Sequence, residues 1–496
     1  MNHPQPAEPE TPAGELEGLL GLATTAAPAW AACTPRERAT ALATVADALE
    51  RNADHLVTLA DRETGLGHAR LSGEVKRTTG QLRSYGEYAV SGAPFGVTID
   101  HADPDATPPR PELRRHLVPL GPVEVFAGGN FPFAFSVAGT DTASALAAGC
   151  PVLLKAHPGH PQTSATTATL VREALADAGA PLGTFGMFTG REAGVTVLRD
   201  ERVRAAAFTG SVRGGRALFD IASSRPRPIP FHGELGSVNP VVVTAGALAE
   251  RRSEIASGFV ASFTLGTGQF CTKPGVLLMP RDPETVQYLA AQVRTAHALP
   301  MLSPQIAEGY RRRLDEVAAA QQTRTLVDGT LTTDADGRPQ ASPSLFVVPS
   351  VEHFLKEADD LLEECFGPAA VIVPYDTEDE AAQVLEALEG SLTLTFHTAP
   401  DDRPAGLVAL AQRKAGRVLF NGWPTGVAVT AAQQHGGPYP SATSAHTSVG
   451  PYAIDRFLRP VAYQDAPADL LPPALRDDNP LRFLRTVDGK PETAAP

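Results

Sequence analysis

The stretch from Val123 to Gly190 alternates short apolar runs with longer runs of helical composition. The apolar runs are GPVEVFA, CPVLLKA and TFGMFTG, and the runs between them are SVAGTDTASALAAG and TSATTATLVREALADAG. A β-α-β-α-β order predicts a parallel sheet with right-handed crossovers, whose ligands bind at the carboxyl ends of the strands. We therefore expect an α/β fold with Lys155, the last residue of VLLK, at the ligand edge.

A second α/β stretch follows the apolar run VVV at 241–243. Helical spacing is expected over 255–265 and 285–298, and strands are expected at GVLLM, SLFVVP and AAVIVPY. Before the first sheet, helical spacing runs over 15–60, and a proline-rich connection occupies 101–111. A chain of 496 residues exceeds one ordinary core, so we expect two or three domains.

Charge and cysteine usage exclude several classes of protein. The formal net charge of -14 is spread along the chain, which argues against a nucleic-acid partner. No apolar run approaches the roughly 20 residues that span a bilayer, and the first basic residue is Arg36, so we expect a cytoplasmic protein without a membrane partner. The cysteines at 33, 150, 271 and 365 have neither CxxC spacing nor nearby histidines, so neither a disulfide scaffold nor a metal site is expected.

Three residues have side chains suited to catalysis, although each is a weak signal by itself. Cys271 lies in the small-residue loop GTGQFCTKPG, but a lone cysteine is more often a small buried hydrophobe than a nucleophile. Glu234, in FHGELGSVNP, is by itself best interpreted as a carboxylate in a surface turn before the strand NPVVV. Asn130, in GGNFPFAFS, is by itself a turn residue, with donation from its side-chain amide as the alternative.

The usual dinucleotide fingerprint GxGxxG does not follow any predicted strand. The chain instead has FTGS at 208–211 after an apolar run, with Gly214 and Gly215 opening a helical segment. Small residues in this position let a phosphate group or a nicotinamide approach the backbone. A glycine-rich turn without a ligand is the alternative interpretation.

Taken together, these segments resemble the aldehyde dehydrogenase superfamily across nearly the whole chain. The matching stretches are NFPFAFSVAGTDTASALAAGCPVLLKAHP, FTGS followed by GG, ELGSVNP, GQFCTKPG, EECFGP and FNGWPTGV. The segments FSVAGTDTASALAAGCPV, QHGGPYPSAT and RFLRPVAYQ are most similar to the subgroup of NADP-linked α-ketoglutarate semialdehyde (2,5-dioxovalerate) dehydrogenases.

The resemblance implies an aldehyde dehydrogenase-like α/β fold with a Rossmann-type cofactor domain, an α/β catalytic domain and a small β oligomerisation arm. The expected ranges are 1–105 and 121–240 for the cofactor-binding domain, 241–445 for the catalytic domain, and 106–120 and 446–496 for the oligomerisation arm and C-terminal tail. A homodimer or homotetramer is implied. Residues after Asp465 extend beyond the usual end of the family and receive no role.

The resemblance also implies the chemistry. Cys271 attacks the aldehyde, and the oxyanion of the resulting thiohemiacetal is stabilised by the side-chain amide of Asn130 and the backbone N–H of Cys271. Hydride transfer to a nicotinamide leaves a thioester, which Glu234 hydrolyses as the general base that activates water. Relatives that pass the acyl group to coenzyme A typically lack this base, so Glu234 favours hydrolysis to a carboxylate.

A further set of residues is expected around the dinucleotide by the same resemblance. The set comprises Lys155 on the adenosine ribose, Gly210 and Ser211 near the pyrophosphate, Gly215 among the cofactor-binding residues of the same turn, Glu364 on the nicotinamide ribose, and Phe366 packed nearby.

The preference between NADP and NAD is inferred from position 158. NAD-preferring relatives often carry a glutamate three residues after the lysine, whereas this chain has Pro158, so no carboxylate at that position repels a 2′-phosphate. Lys155, with His157 or Arg191, is expected to pair with the phosphate. NADP is therefore favoured, and use of NAD stays open because Pro158 has no side-chain donor.

The substrate pocket is expected beside the catalytic residues. Phe131 and Phe270 adjoin Asn130 and Cys271 and are expected to line an apolar aldehyde tunnel, with packing in the core as the alternative. An acid semialdehyde also requires a cation at its far end. Arg83 is the candidate for that cation, with a solvated surface arginine as the alternative.

The leading hypothesis is oxidation of α-ketoglutarate semialdehyde to 2-oxoglutarate. The alternatives within the same class are a medium- or long-chain aliphatic aldehyde and another semialdehyde. The alternative of another class is a catalytically silent structural homologue. Such a chain is expected to lack Cys271, Glu234 or Asn130, and all three residues are present here.

Overall fold

The computed structural model describes residues 9–492. Its α-helices are α1 (Ala13–Ala32), α2 (Pro35–Arg51), α3 (Ala53–Thr64), α4 (His68–Val90), α5 (Thr140–Ala148), α6 (Pro161–Asp177), α7 (Arg191–Arg199), α8 (Val212–Ser224), α9 (Ala245–Thr264), α10 (Pro283–Arg294), α11 (Pro304–Ala319), α12 (Val351–Lys356), α13 (Ala358–Leu361), α14 (Glu378–Ala387) and α15 (Ala405–Lys414). Its strands are β1 (Val97–Asp100), β2 (Leu113–Pro119), β3 (Val123–Phe126), β4 (Val152–Lys155), β5 (Phe185–Phe188), β6 (Ala205–Thr209), β7 (Phe231–Glu234), β8 (Val241–Val243), β9 (Val276–Pro280), β10 (Leu299–Pro300), β11 (Arg324–Val327), β12 (Leu331–Thr333), β13 (Pro339–Ala341), β14 (Ser344–Val347), β15 (Ala369–Tyr375), β16 (Ser391–His397), β17 (Ala415–Phe420), β18 (Leu458–Gln464), β19 (Arg485–Val487) and β20 (Lys490–Glu492).

The first parallel sheet has the strand order β5-β4-β3-β6-β7, which confirms the predicted β-α-β-α-β arrangement. The chain moves from β3 outward to β5 and then returns to the other side of β3 with β6. Ligands of open α/β sheets bind at such a switch point, outside the carboxyl ends of the strands. Register pairs Phe126 with Lys155 and with Phe208, and Thr209 with Glu234, so these residues lie along one edge of the sheet.

The second large sheet has the order β11-β14-β15-β9-β8-β16-β17. Its pairings are parallel except at β11, which runs antiparallel to β14 at one edge. Nearly every residue of β8, β9, β15 and β16 is buried, as expected for strands covered by helices on both faces. The loop between α9 and β9 carries Cys271, and the carboxyl end of β7 carries Glu234, so the two sheets contribute one catalytic candidate each.

A third sheet, with the order β18-β2-β1-β19-β20, gathers strands from both ends of the chain. Strand β1 falls in the range 1–105, which was expected to belong to the cofactor-binding domain. It instead pairs antiparallel with β2 and parallel with β19, because the proline-rich connection, with a bridge between Asp103 and Arg110, turns the chain back on itself. Residues after Asp465, for which no structure was predicted, supply β19 and β20. The roles of the three sheets in cofactor binding, catalysis and oligomerisation stay predictions.

The N-terminal helices confirm the predicted helical spacing but interrupt it between α1 and α2. Thr34 caps α2, since its side chain accepts from the backbone N–H of Glu37 while the Glu37 carboxylate accepts from the backbone N–H of Thr34. The long helix α4 packs on α2 and α5. Within residues 9–492, no helix combines the length and apolarity needed to cross a membrane.

Candidate active site

Cys271 lies in a loop whose backbone is fixed from several directions. The loop contains Gly266, Thr267 and Gly268, all with positive φ, and a Cβ at position 268 would lie 2.3 Å from the carbonyl oxygen of Gly367. Only glycine fits so close an approach. Asn239 Nδ2 donates to the carbonyl oxygen of Cys271 at 2.8 Å, and the Cys271 side chain is partly exposed. The nucleophile candidate therefore sits on a constrained backbone.

Glu234 is the last residue of β7 and is 4% exposed, so its prediction as a residue of a surface turn was wrong. The strand continues to this point because Glu234 pairs in register with Thr209 and forms a bridge with Ala442. Ser448 Oγ donates to Glu234 Oε2 at 2.5 Å. The end of a parallel strand thus places a buried carboxylate at the ligand edge of the sheet.

Asn130 lies against the loop that carries the nucleophile. Its Nδ2 donates to the carbonyl oxygen of Gln269 at 3.2 Å, two residues before Cys271. Arg70 Nη2 donates to the Asn130 carbonyl oxygen at 2.8 Å and fixes the backbone there. The fold therefore brings the Asn130 amide to the Cys271 loop, as the sequence predicts.

His435 joins this group, although the sequence analysis did not single it out. Its Nε2 lies 2.8 Å from Glu234 Oε1 and 3.5 Å from Cys271 Sγ, and the residue is 2% exposed. The Sγ, imidazole nitrogen and carboxylate oxygen of these three residues all lie within 4.8 Å of one another. The available signal was the segment QHGGPYPSAT, which contains His435 but was used only for the resemblance.

Thiolate, imidazole and carboxylate are donor types that bind zinc in proteins, so the three side chains could hold a metal ion as well as take part in catalysis. The expectation that no cysteine has a histidine partner holds along the sequence but not in space, because the fold brings His435 to Cys271 across 164 positions.

The electrostatics of the group place the negative charge on the carboxylate. Burial raises the pKa of Glu234, but the neighbouring His435 and the hydrogen bond from Ser448 outweigh it and leave this pKa below its usual value. Burial and the adjacent Glu234 carboxylate raise the pKa of the Cys271 thiol well above its usual value. Cys271 is therefore a thiol beside an ionised base, and it must lose its proton before it attacks a carbonyl.

Aromatic rings adjoin this group, and Phe135 packs on the His435 ring with 6.1 Å between the ring centroids. The Phe131 and Phe270 rings meet edge to face at 5.4 Å, and Phe131 also packs on Phe135 at 5.4 Å. The guanidinium of Arg70 lies 4.7 Å from the Phe270 ring centroid and 5.1 Å from that of Phe131. The structure brings the two predicted tunnel residues into contact beside Asn130 and Cys271.

Arg83 does not belong to this wall, and its prediction as a pocket residue was wrong. Its guanidinium binds Asp47 Oδ1 at 2.6 Å and Glu50 Oε1 at 2.7 Å, both on α2. The reason is helical geometry. Arg70 and Arg77 lie seven residues apart on one face of α4, whereas Arg83 lies six residues after Arg77 and points toward α2.

The comparisons with known proteins agree with this geometry. Residues 9–462 match the profile of the aldehyde dehydrogenase family. The chain belongs to the aldehyde dehydrogenase family. It is 45% identical over 488 residues to α-ketoglutaric semialdehyde dehydrogenase 2 of Azospirillum brasilense, covering 96% of this chain and 92% of the relative. It is 42% identical to α-ketoglutaric semialdehyde dehydrogenase of Acinetobacter baylyi, covering 92% of this chain and 87% of the relative.

Solved aldehyde dehydrogenase structures share the fold. The chain superposes with a TM-score of 0.77 on a 3,6-anhydro-L-galactose dehydrogenase in complex with NAP, at 20% identity, covering 92% of both chains. It superposes with a TM-score of 0.76 on aldehyde dehydrogenase 21 of Physcomitrella patens in complex with succinate, at 23% identity, covering 93% and 92% of the two chains. The chain is thus an NAD(P)-dependent aldehyde dehydrogenase in fold and family.

The aldehyde dehydrogenase has a site that fits a dinucleotide at the switch point of the first sheet. Gly210 and Ser211 are exposed at the start of the 13-residue helix α8, where backbone N–H groups and the helix dipole favour phosphate. Thr209 Oγ1 is buried and has no hydrogen-bond partner within residues 9–492. Lys155 is half-buried at the end of β4. A buried donor and an open helix start are what such a ligand requires.

Gly215 has a packing role at this site. It is buried, and a Cβ there would lie 2.1 Å from Leu235 Cδ2, so glycine lets α8 approach the sheet closely. The expectation that Gly215 belongs to the cofactor-binding residues stays a prediction. Glu364 lies over Gly236, where a Cβ would be 2.4 Å from Glu364 Oε2, and burial raises the Glu364 pKa to about 7. Phe366 is half-buried two residues further on.

The residues expected to bind a 2′-phosphate differ in their charge and exposure. Burial lowers the pKa of His157 to about 3, so this imidazole is neutral at physiological pH, and its pairing with a 2′-phosphate stays a prediction. Pro158 and Arg191 are exposed. Glu10 places its carboxylate on the backbone N–H groups at the start of α7, with Oε2 accepting from Ala193 at 2.9 Å. A carboxylate is therefore present near Lys155, although not at position 158.

Proposed function

We propose that this aldehyde dehydrogenase oxidises α-ketoglutarate semialdehyde to 2-oxoglutarate through a thioester on Cys271. The observation that carries the chemistry is the buried group in which Cys271 Sγ, His435 Nε2 and a Glu234 carboxylate oxygen lie within 4.8 Å of one another. The substrate is proposed from the two relatives with 42–45% identity, both named as α-ketoglutaric semialdehyde dehydrogenases.

The first step is attack of sulfur on the aldehyde carbon. His435 takes the thiol proton, since its Nε2 lies 3.5 Å from Sγ, and Glu234 Oε1, 2.8 Å from the same nitrogen, stabilises the imidazolium that forms. An S–C bond forms as the carbonyl becomes an oxyanion. Asn130 Nδ2, which lies at the Cys271 loop, is the side-chain donor for that oxyanion. The nicotinamide, when bound, supplies the acceptor for the hydride of the thiohemiacetal carbon.

The second step is hydrolysis of the thioester. The ionised Glu234 takes a proton from water, and the hydroxide attacks the acyl carbon as the C–S bond breaks. The leaving sulfur takes back the proton held by His435, and Glu234 and the carboxylic acid product each release one proton to solvent. Overall one aldehyde, one water and one oxidised cofactor give one carboxylate, one reduced cofactor and two protons.

For the cofactor, we propose preference for NADP with NAD also accepted. Pro158 brings no carboxylate to the ribose, and Lys155 and Arg191 are the cations near it. Glu10 opposes this preference because its negative charge lies near Lys155. Glu10→Gln is therefore expected to strengthen NADP binding about threefold and to leave NAD binding unchanged, the effect being small because salt screens exposed charges. Fluorescence titration with each reduced cofactor measures this, and an equal change for both would contradict it.

We also propose that the chain forms a homodimer or homotetramer. Strand β18 is a seven-residue strand at the edge of the third sheet, and its backbone is available to pair with a second chain. Sedimentation equilibrium measures the state directly. A concentration-independent monomer would contradict the proposal.

The substrate is tested with purified enzyme, NADP and an aldehyde panel. The panel contains α-ketoglutarate semialdehyde, succinate semialdehyde and hexanal, compared by kcat/KM. We expect α-ketoglutarate semialdehyde to give the highest kcat/KM. A clear preference for hexanal would contradict the proposed substrate and favour an aliphatic aldehyde. Cys271→Ala is the control for covalent catalysis, since that variant is expected to form no NADPH.

A further inference from the structure

Helix α4 presents two arginines to the aromatic side of the active site. Arg70 lies against the Phe131 and Phe270 rings, and Arg77 lies 5.7 Å from the Phe135 ring centroid. The two are seven residues apart and therefore share one face of the helix. The wall beside Cys271 therefore combines apolar phenylalanine rings with the positive charges of two guanidinium groups packed on those rings.

Both guanidinium groups retain donors without a protein acceptor. Arg70 Nη2 donates to the Asn130 carbonyl oxygen, but its Nε and Nη1 are buried and have no hydrogen-bond partner within residues 9–492. Arg77 Nε donates to Gln81 Oε1 at 3.1 Å, and its Nη2 is buried with no partner in the same range. A buried N–H of a charged group that lacks an acceptor is costly, so an acceptor is expected there in the working enzyme.

The carboxylate on the same helix face does not fill this role. Glu74 lies between the two arginines in sequence, and its Oε1 accepts from the backbone N–H groups of Phe133 and Ala134 at 2.7 and 3.0 Å. Glu74 Oε2 has no hydrogen-bond partner within residues 9–492, so neither arginine donates to it, although the charge of Glu74 acts to raise the pKa of both. Aromatic faces attract the cations but offer no acceptor in the plane of the guanidinium.

The arginines are also close to the reacting atoms. The positive charge of Arg77 acts to lower the pKa of the Cys271 thiol, although burial and Glu234 raise it by more. The negative charge of Glu234 acts to raise the pKa of Arg77. Arg70 reaches the backbone of Asn130, the oxyanion candidate. A short substrate with its aldehyde carbon at Sγ therefore extends along a wall that offers guanidinium donors.

We propose that Arg77, assisted by Arg70, binds the carboxylate at the far end of an acid semialdehyde. This rests on the proposed function, whose substrate carries a 2-oxo acid group at that end. A guanidinium presents paired N–H donors that match a carboxylate, and an apolar surrounding strengthens the pair because it excludes water. The catalytic group acts on the aldehyde of any substrate, and the arginines select those with an acid tail.

The test separates loss of charge from loss of structure. Arg77→Met and Arg70→Met remove the guanidinium and keep an apolar stem, whereas Arg77→Lys keeps the charge and loses the paired donors. Arg83→Gln is the matched control on the same helix, because Arg83 faces α2. Each variant is assayed by kcat/KM with α-ketoglutarate semialdehyde and with hexanal, which has no carboxylate.

Arg77→Met is expected to lower kcat/KM about 100-fold for the acid semialdehyde and less than about fivefold for hexanal. The loss is expected mainly in KM. Arg77→Lys is expected to lie between Arg77→Met and the parent, Arg70→Met to show a smaller loss of the same kind, and Arg83→Gln to match the parent. Equal losses for both substrates in Arg77→Met, or no loss for the acid, would overturn the proposal.

A second measurement distinguishes this proposal from the proposed function. Glutarate, a dicarboxylate without an aldehyde, is expected to inhibit hexanal oxidation in the parent enzyme and to inhibit Arg77→Met about 30-fold more weakly. If the parent enzyme prefers hexanal to α-ketoglutarate semialdehyde, the proposed substrate is wrong, yet this difference in inhibition still supports the anion site. Equal inhibition of parent and variant would overturn the anion site, whatever the substrate.

Discussion

The two sides of Cys271 are built in opposite ways. On the polar side, Glu234 Oε1 lies 2.8 Å from His435 Nε2, and Ser448 donates a hydrogen bond to Oε2 of the same carboxylate. On the aromatic side, Arg70 and Arg77 lie behind phenylalanine rings with buried N–H groups that no residue of 9–492 accepts. On the polar side the carboxylate lies against a protein partner, whereas on the aromatic side the guanidinium groups have no protein acceptor for these N–H groups. We infer that separate residues carry out the reaction and select the substrate.

Changes on the polar side should therefore affect every aldehyde alike, and changes on the aromatic side should affect acid aldehydes selectively. The largest effects are expected where bonds form and break. Cys271→Ala is expected to lose about 10⁵-fold in kcat with acid and neutral aldehydes alike, and to give no initial burst of NADPH. Stopped-flow absorbance measures the burst. Residual activity that differed between the two substrate classes would show that Cys271 also takes part in substrate selection.

Glu234→Gln is expected to keep acylation and lose hydrolysis. The variant should release about one NADPH per active site and then turn over about 1,000-fold more slowly, because no carboxylate activates water. Mass spectrometry should find the acyl group on Cys271. A burst followed by normal turnover would contradict the role of Glu234 in hydrolysis. The absence of any burst would show that Glu234 is needed for acylation.

His435→Gln is expected to lower kcat/KM about 100-fold, since glutamine keeps a donor near Glu234 but cannot take the thiol proton. The loss should be equal for α-ketoglutarate semialdehyde and hexanal. Arg77→Met provides the contrast, because its loss should fall on the acid alone. A His435→Gln effect confined to the acid would show that the polar side also selects substrates.

The reactivity of the thiol gives an effect of intermediate size. The ionised Glu234 raises the pKa of Cys271, so its replacement by glutamine lowers that pKa and enlarges the thiolate fraction at any pH below it. Alkylation of Glu234→Gln by iodoacetamide at pH 7.5 is expected to be about tenfold faster than that of the parent enzyme. The alkylation of Arg83→Gln serves as the control. Slower alkylation in Glu234→Gln would show that the carboxylate acts chiefly as the base.

Ser448→Ala is expected to give the smallest effect on this side. The Ser448 hydrogen bond stabilises the ionised carboxylate and lowers the pKa of Glu234, so its loss raises that pKa. The acid limb of the pH profile of kcat should therefore move to higher pH, with a loss of about fivefold at neutral pH. A profile that moved to lower pH would contradict the assignment of this limb to Glu234.

The sequence predicts the first sheet well because local periodicity determines it. Lys155 and Cys271 occupy the expected strand end and loop, and Asn130 meets the Cys271 loop as the motifs imply. His435 was missed because its partner lies 164 positions away, and no local pattern encodes such a contact. The prediction that Arg83 lies in the substrate pocket was wrong for a related reason. The choice of which face of α4 meets the site depends on packing against α2, which local spacing does not reveal.

The burial of Glu234 was missed for a different physical reason. Glycines on both sides of Glu234 favour a turn, yet strand pairing with β6 and the bridge to Ala442 extend β7 through the residue. The contact of Glu10 with the start of α7 near the cofactor site was missed as well, because Glu10 lies in a segment without a recognisable motif.

The C-terminal segment after Asp465 closes one side of the third sheet to further pairing. Strand β19 occupies the edge of β1, and β20 follows it with Pro491, which has no N–H to offer. Among the strands of residues 9–492, β18 is therefore the only edge of this sheet that a second chain can extend with a full-length strand. Removal of the segment would leave unpaired strand edges on both sides of the sheet, at β18 and at β1. Chains could then pair edge to edge at both sides, so that pairs of limited size would be replaced by continuous fibres.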